Sequence, residues 1–329
     1  MLNKAGEVAQ IFQPKEAYTF DYQWAIDIAE QQQDILWTEK EIAVEKDIQD
    51  IKVNMTKAES HGVITTLKLF TLYELKAGVD YWGGKIMTMC PRPCIQRLAS
   101  TIGFTEQGVH APFYNKLNEA LNLNTDEFYL SYKEDPVLAE RMEFVGGIIG
   151  SEDPLVSIGA FSMVEGAVLY SAFAFLMHFQ SAGKNKLNNV CRGIKFSVKD
   201  ENLHALAGAA LYKQIAIETD RENNHGVALK LYEVAKKIQE HEHLIIDKIF
   251  EEGEMDGITP EQMKTFVNHR LNLCLENLGL ISQFDEEHNP IKEWFYQGIN
   301  SVELHDFFNG TGSSYNRDWN ETKFIWEVE

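Results

Sequence analysis

The segment PLVSIGAFSMVEGAVLYSAFAFLMHF, Pro154 to Phe179, limits what this chain can fold into more than any other part of it. It is long enough to cross a bilayer, for which roughly 20 apolar residues suffice. Yet Glu165 stands near its middle and His178 near its end. A carboxylate left ionised among hydrocarbon is expensive, so it is normally neutralised by a raised pKa, a cationic partner or a metal ion. That charge, the small polar residues around it and the lack of a second such stretch in the sequence argue against a membrane span. The segment reads instead as a helix buried on all sides within a large helical protein.

The rest of the sequence agrees with an all-α fold. Apolar residues recur at three and four residue spacing, while alternating β-branched runs are scarce. The expected helices run from Tyr22 to Gln33, Glu59 to Met87, Pro93 to Leu121, Pro136 to Gly147, Pro154 to Ser181, Leu187 to Ala216, Glu222 to Glu252 and Pro260 to Leu278, with a shorter one near Pro290. Breaks such as CPRPC, SEDP, AGKNK and DGITPEQ separate them. No long linker divides the chain, so one helical domain is expected over residues 1–303. A polar, aromatic-studded tail over residues 304–329 is expected to be mobile or partner-bound.

Charge and cysteine content exclude several function classes. Fifty acidic against thirty basic residues give a formal charge of −20, which repels nucleic-acid phosphates and anionic lipid. Neither is an expected partner. The four cysteines, Cys90, Cys94, Cys191 and Cys274, lack the pairing of a disulfide framework or a structural zinc site. They read as buried thiols in a reducing compartment. The N-terminal stretch has no apolar core and no cleavage site, so the cytoplasm is the expected location.

Glu165 needs a partner, and the following helix offers Glu201 and His204, three residues apart on one helix face. An earlier segment carries Glu106 and His110, four apart, and the helix before that carries Glu74. Singly, each has an ordinary explanation as a surface charge or a hydrogen-bonded core histidine. Together, two lone glutamates and two Glu/His pairs on four helices are the donor pattern of ferritin-like dimetal carboxylate bundles. Four carboxylates and two imidazoles can bind two first-row metal ions and leave positions open for oxygen.

Several motifs make the chain resemble the radical-generating small subunit of class I ribonucleotide reductase. KDENLH is similar to that family's basic-Asp-Glu-x-x-His segment, and SMVEGAVLYSAFAF to its buried glutamate helix. LFTLYELKAG resembles the helix of the first carboxylate, FTEQGVHAPFY that of the first histidine and radical tyrosine, and LWTEKEIAVEKD the segment with a conducting tryptophan. The resemblance implies Glu74, Glu106 and His110 as ligands of one metal and Glu165, Glu201 and His204 as ligands of the other, with bridging carboxylates shared. It also implies Tyr114 as the radical tyrosine and a relay through His110, Asp200, Trp37 and the tail residue Tyr315. Two iron or manganese ions, or a mixed pair, would be the cofactor. Oxygen or a reduced form of it would generate the oxidant, on Tyr114 or on the metals. The implied partners are a second copy of the chain, a large subunit that reduces ribonucleotides and is docked through the C-terminal tail, and an activating flavoprotein.

Leu169 and Phe173 follow Glu165 at helical spacing and are expected on the same side of the cavity, sealing it from water. Two positions depart from the family pattern. Its first pair is usually Glu-x-x-His, whereas Gln107 stands at that spacing here, so Glu106 must reach the site through i, i+4 geometry or a π-bulge. Glu74 replaces the usual Asp, with Asp80 as a rival. EHEHL, with His241 and His243, reads as a solvated patch, CPRPC as a helix entry, and GTGSSYN lacks the context of a phosphate loop. The competing functions are a ferritin-like dimetal oxidase or metal-binding protein without radical transfer, and a metal-free helical scaffold.

Overall fold

The computed structural model describes residues 1–300. Among them every regular element is helical, and the only β pairing consists of the isolated bridges Leu2 with Val8 and Met255 with Ile258.

Helix starts are written locally. Thr56 accepts a hydrogen bond from the Glu59 N–H, and Glu59 Oε2 accepts one from the Thr56 N–H at 2.8 Å, closing a capping box ahead of the helix Lys57–Leu75. Asp135 and Asp153 cap the helices Pro136–Gly150 and Pro154–Met163, each with proline in the first turn, where its missing N–H costs nothing. Thr259 and Gln262 repeat the capping box before Pro260–Asn277. Each such cap stabilises its helix by about 1 kcal/mol.

The expected helices are present, with ends displaced by a few residues: Gln23–Asp34, Pro136–Gly150, Asn188–Glu218, His225–Ile249, Pro260–Asn277 and Pro290–Asn300. Three expected long helices are instead composite. Lys57–Leu75 runs on through a π-helical stretch, Lys76–Ile86, to Met87–Met89. Pro93–Thr105 passes through the π turn Glu106–His110 into Ala111–Leu121, where Asn122 stops it in the left-handed conformation at φ 61°. Pro154–Met163 passes through the π turn Val164–Val168 into Tyr170–Met177. The short helix Asp126–Leu130 had no sequence counterpart.

Nearly all of the apolar Pro154–Gln180 stretch is buried, and it lies in the middle of the bundle, as its composition requires. The Asn188–Glu218 helix packs along it, and Pro260–Asn277 and His225–Ile249 pack against its other sides. The Glu74 and Glu106 helices approach each other backbone to backbone at two glycines. A Cβ on Gly78 would meet the Gly103 carbonyl at 2.9 Å, and one on Gly103 would meet the Gly78 carbonyl at 3.1 Å. This close approach brings two ligand-bearing helices within reach of one another. All four cysteines are buried free thiols.

Candidate metal centre

Three of the four helices that carry candidate ligands leave α geometry where their carboxylates stand. Glu106 opens and His110 closes one π turn, Glu165 lies inside another, and Glu74 lies just before the third. A π turn bonds i to i+5 and so accommodates one extra residue. The four-residue spacing of Glu106 and His110 thereby serves a shared site, with His110 Nδ1 3.3 Å from Glu106 Oε2. Gln107 points to solvent. Glu201 and His204 need no such adjustment, because three residues already share a face in the unbroken Asn188–Glu218 helix.

The six side chains converge, all of them buried. Around His110 Nδ1 lie Glu74 Oε2, Glu106 Oε2 and Glu201 Oε1, each at 3.3 Å. Around His204 Nδ1 lie Glu106 Oε1 at 2.5 Å and Glu201 Oε2 at 3.7 Å. Two groups of donors able to hold a cation result: Glu74, Glu106, His110 and Glu201 in one, and Glu106, Glu165, Glu201 and His204 in the other. Glu106 and Glu201 belong to both groups, each turning one oxygen toward each histidine. Asp80 is exposed and paired with Lys76 at 2.6 Å, which leaves Glu74 as the carboxylate this helix brings to the cluster.

The electrostatics are those of a site shaped for positive charge. Burial, reinforced by Glu106, pushes the Glu74 carboxyl well above the usual range, and burial with Glu106 and Glu201 does the same to Glu165. Burial works against charge on both imidazoles, yet Glu74 and Asp200 raise His110, and Glu106 raises His204 to about 9. Glu106 is held low in spite of its burial, chiefly by His204. Glu74 Oε1, both Glu106 oxygens and His204 Nδ1 are buried and, in spite of the short separations within the cluster, make no hydrogen bond of regular geometry. Orphaned donors of metal-ligand type, aimed at one another, fit two metal ions.

A second layer orients the imidazoles. Asp200 Oδ2 accepts from His110 Nε2 at 2.9 Å and from Trp37 Nε1 at 2.8 Å. Gln32 Nε2 donates to Asp200 Oδ1 at 2.8 Å, while Gln32 Oε1 accepts from His204 Nε2 at 3.1 Å. Both histidines therefore turn Nδ1 toward the cluster, an orientation that the partner on the other nitrogen fixes. Trp82 Nε1 donates to Glu165 Oε1 at 2.7 Å. Neither Gln32 nor Trp82 stood out in the sequence. The only local signal for Gln32 was an amide-rich QQQD just before Trp37.

A small cavity adjoins the carboxylates, and Phe161, Val145 and Leu169 are part of its apolar lining. Phe173 does not line it. Phe173 stacks on Phe70 at 5.7 Å, and Phe70 packs on Tyr114 at 4.4 Å. Tyr114 is wholly buried, and burial together with the Glu74 carboxylate pushes its phenol well above the ordinary range. Tyr315 and the tail expected to dock a large subunit, residues 304–329, lie outside the described residues. EHEHL differs from its expected solvation, since His241 is buried edge-on against Phe144 and contacts Glu140 at 3.3 Å.

The family model described as "Ribonucleotide reductase, small chain" matches residues 15–290. The probable ribonucleoside-diphosphate reductase small subunit 048L of Invertebrate iridescent virus 3 is 24% identical, over 90% of this chain and 82% of its own length. The ribonucleoside-diphosphate reductase 2 subunit beta of Escherichia coli K12 is 26% identical, over 69% of this chain and 73% of its own. Among solved structures, the dimanganese(II)-NrdF of Streptococcus sanguinis superposes with a TM-score of 0.75 at 21% identity, covering 88% of this chain and 99% of that one. The ribonucleotide reductase R2 subunit of Clostridium botulinum gives 0.72 at 21% identity, covering 85% and 89%. These two likenesses establish the shared helical fold.

Proposed function

The chain belongs to the ribonucleotide reductase small-chain family and is the beta subunit of a ribonucleoside-diphosphate reductase; from that premise we propose that its buried cluster holds two metal ions and furnishes the oxidant used by a large subunit. One ion would be held by Glu74, Glu106, His110 and Glu201, the other by Glu106, Glu165, Glu201 and His204. Iron, manganese or a mixed pair suits these oxygen and imidazole donors. When bound, the metals supply the redox chemistry with oxygen species that yields a one-electron oxidant.

The protein's own residues do the rest. The carboxylates offset the cationic charge, and the apolar cavity wall excludes water and reductants, without which an oxidant would be quenched. Tyr114 offers a phenol next to Glu74 in a fully buried setting, suited to a long-lived radical. Asp200 fixes His110 and joins it to Trp37, giving a continuous hydrogen-bonded path from the cluster toward the N-terminal segment. Tyr315 completes this relay to a large subunit, which carries the nucleotide site and reduces ribonucleotides to deoxyribonucleotides. The active assembly is a homodimer of this chain docked on that subunit by the tail. An activating flavoprotein is a further partner, and the location is cytoplasmic.

The observation that carries this reading is the convergence of six buried donors with Glu106 and Glu201 common to both groups. The test is nucleotide reduction by the metal-loaded chain with its large subunit, alongside spin-resonance spectra of the oxygen-treated protein. Activity lost in Trp37→Phe with metals retained supports the relay. Activity indifferent to Trp37, Tyr114 and the tail would leave a ferritin-like dimetal oxidase or metal-binding protein.

A further inference from the structure

Tyr296, on the helix Pro290–Asn300, is 6% exposed and sits in a directed chain of hydrogen bonds. Arg270 Nη1 donates to its phenol oxygen at 2.8 Å. With that oxygen accepting from a guanidinium, the phenol O–H is left to donate to His269 Nε2, 3.3 Å away. His269 Nδ1 is in close contact with Glu286 Oε2, which sets the tautomer that leaves Nε2 as an acceptor. Asn272 Nδ2 donates to the other Glu286 oxygen at 3.3 Å. The Glu286 side chain is 36% exposed, so the chain ends at solvent. Burial and the neighbouring Arg270 hold His269 down at about 4, which keeps its imidazole neutral and able to accept.

On its other side Tyr296 reaches, through Arg270, the residues that flank two of the cluster's carboxylates. Arg270 Nε donates to the Gly166 carbonyl at 2.9 Å, next to Glu165, and Nη2 donates to Asn202 Oδ1 at 2.6 Å, next to Glu201. Its guanidinium lies 3.7 Å over the Tyr170 ring. A tyrosine that served only to satisfy Arg270 would need no proton acceptor. This one has an acceptor, backed by a carboxylate that reaches water.

We propose that Tyr296 is a second redox-active tyrosine, which gives up an electron to the one-electron oxidant of the buried centre and its proton to His269. The inference rests on the proposed function, which supplies that oxidant. One electron leaves the phenol ring and reduces the oxidant by one equivalent. The phenol O–H bond breaks, Nε2 of His269 takes the proton, and the Nδ1 proton passes to the Glu286 carboxylate. The products are a neutral phenoxyl, a neutral imidazole and a carboxylic acid, so no new positive charge is left beside Arg270.

The test removes the competing phenol and looks for the second one. Metal-loaded Tyr114→Phe protein is mixed with oxygen, freeze-quenched and examined by spin resonance, with ring-deuterated tyrosine to identify tyrosyl signals. A transient tyrosyl signal is expected, absent from Tyr114→Phe/Tyr296→Phe, which loses only one further hydroxyl. In Tyr114→Phe/His269→Gln, the signal should form about a hundredfold more slowly, the scale of a lost general base. A signal that persists without Tyr296, or one formed equally fast without His269, overturns the inference. So does the absence of any tyrosyl signal in Tyr114→Phe when the wild type generates an oxidant. A wild type that generates no oxidant signal at all refutes the proposed function itself, and the inference with it.

Discussion

Glu106 and His110 stand at opposite ends of one π turn, and their side chains meet 3.3 Å apart. Because the turn absorbs a residue, the neighbouring Gln107 faces solvent. Glu106→Gln is therefore expected to reduce bound metal from two ions per chain to fewer than one, since Glu106 is common to both donor groups. Gln107→Glu should leave the metal content unchanged. Elemental analysis of the two reconstituted variants decides the point, and equal metal loss in both would show that the π turn does not select Glu106.

Asp200 joins His110 to Trp37 through a single oxygen. Asp200→Asn weakens the partner that orients the imidazole, and loss of such a partner typically lowers metal affinity or activity about 10- to 100-fold. Trp37→Phe keeps an aromatic ring beside His110 and removes only the indole N–H that bonds Asp200, so it should keep both metals and lose nucleotide reduction. Metal titration and turnover with the large subunit, measured on the same preparations, separate the two effects.

Arg141 and Glu242 form a fully buried ion pair at 2.5 Å, with Tyr73 accepting from the guanidinium at 3.1 Å and Ser171 donating to the carboxylate. Arg141→Leu would strand Glu242 in the core, at a cost of about 3–5 kcal/mol. Arg141→Leu/Glu242→Leu should recover most of it, because no unpaired charge remains. Urea unfolding of the metal-free proteins measures both, and a double variant no more stable than the single would contradict this account.

His178 is buried, donates Nδ1–H to the Phe175 carbonyl, and leaves Nε2 without a partner. Burial lowers it from 6.5 to about 4. A folded value below the unfolded one means that the unfolded chain takes up the proton first. The contribution is thus fully present above pH ~6.5 and is lost as pH falls to ~4, by roughly 3 kcal/mol. The stability difference between wild type and His178→Phe should shift by that amount across this window. Parallel stability curves would rule the effect out.

Much of the site was legible because its chemistry is improbable by chance. Glu165 in an apolar run demanded neutralisation, and the three-residue spacing of Glu201 and His204 reads directly in an unbroken helix. The π turns were only partly legible. The spacing of Glu106 and His110 admitted one, but the turns at Glu165 and beyond Glu74 leave no mark on composition. Gln32, Trp82 and Arg270 escaped notice for a related reason. An amide, an indole or a guanidinium acquires its role only when distant elements meet, as Gln32 does with Asp200 across |i−j|=168. Helix ends were the least certain feature, except where Asp135 or Asp153 followed by proline wrote the cap into the sequence.

The central claim is that the cluster is a dimetal centre bridged by two carboxylates. Anomalous diffraction from crystals of the metal-loaded protein, recorded at the iron and manganese edges, tests it most directly. Two peaks are expected within the cluster, one bounded by Glu74 and His110, the other by Glu165 and His204, with Glu106 and Glu201 touching both. A single peak, or none among these six residues, would contradict it.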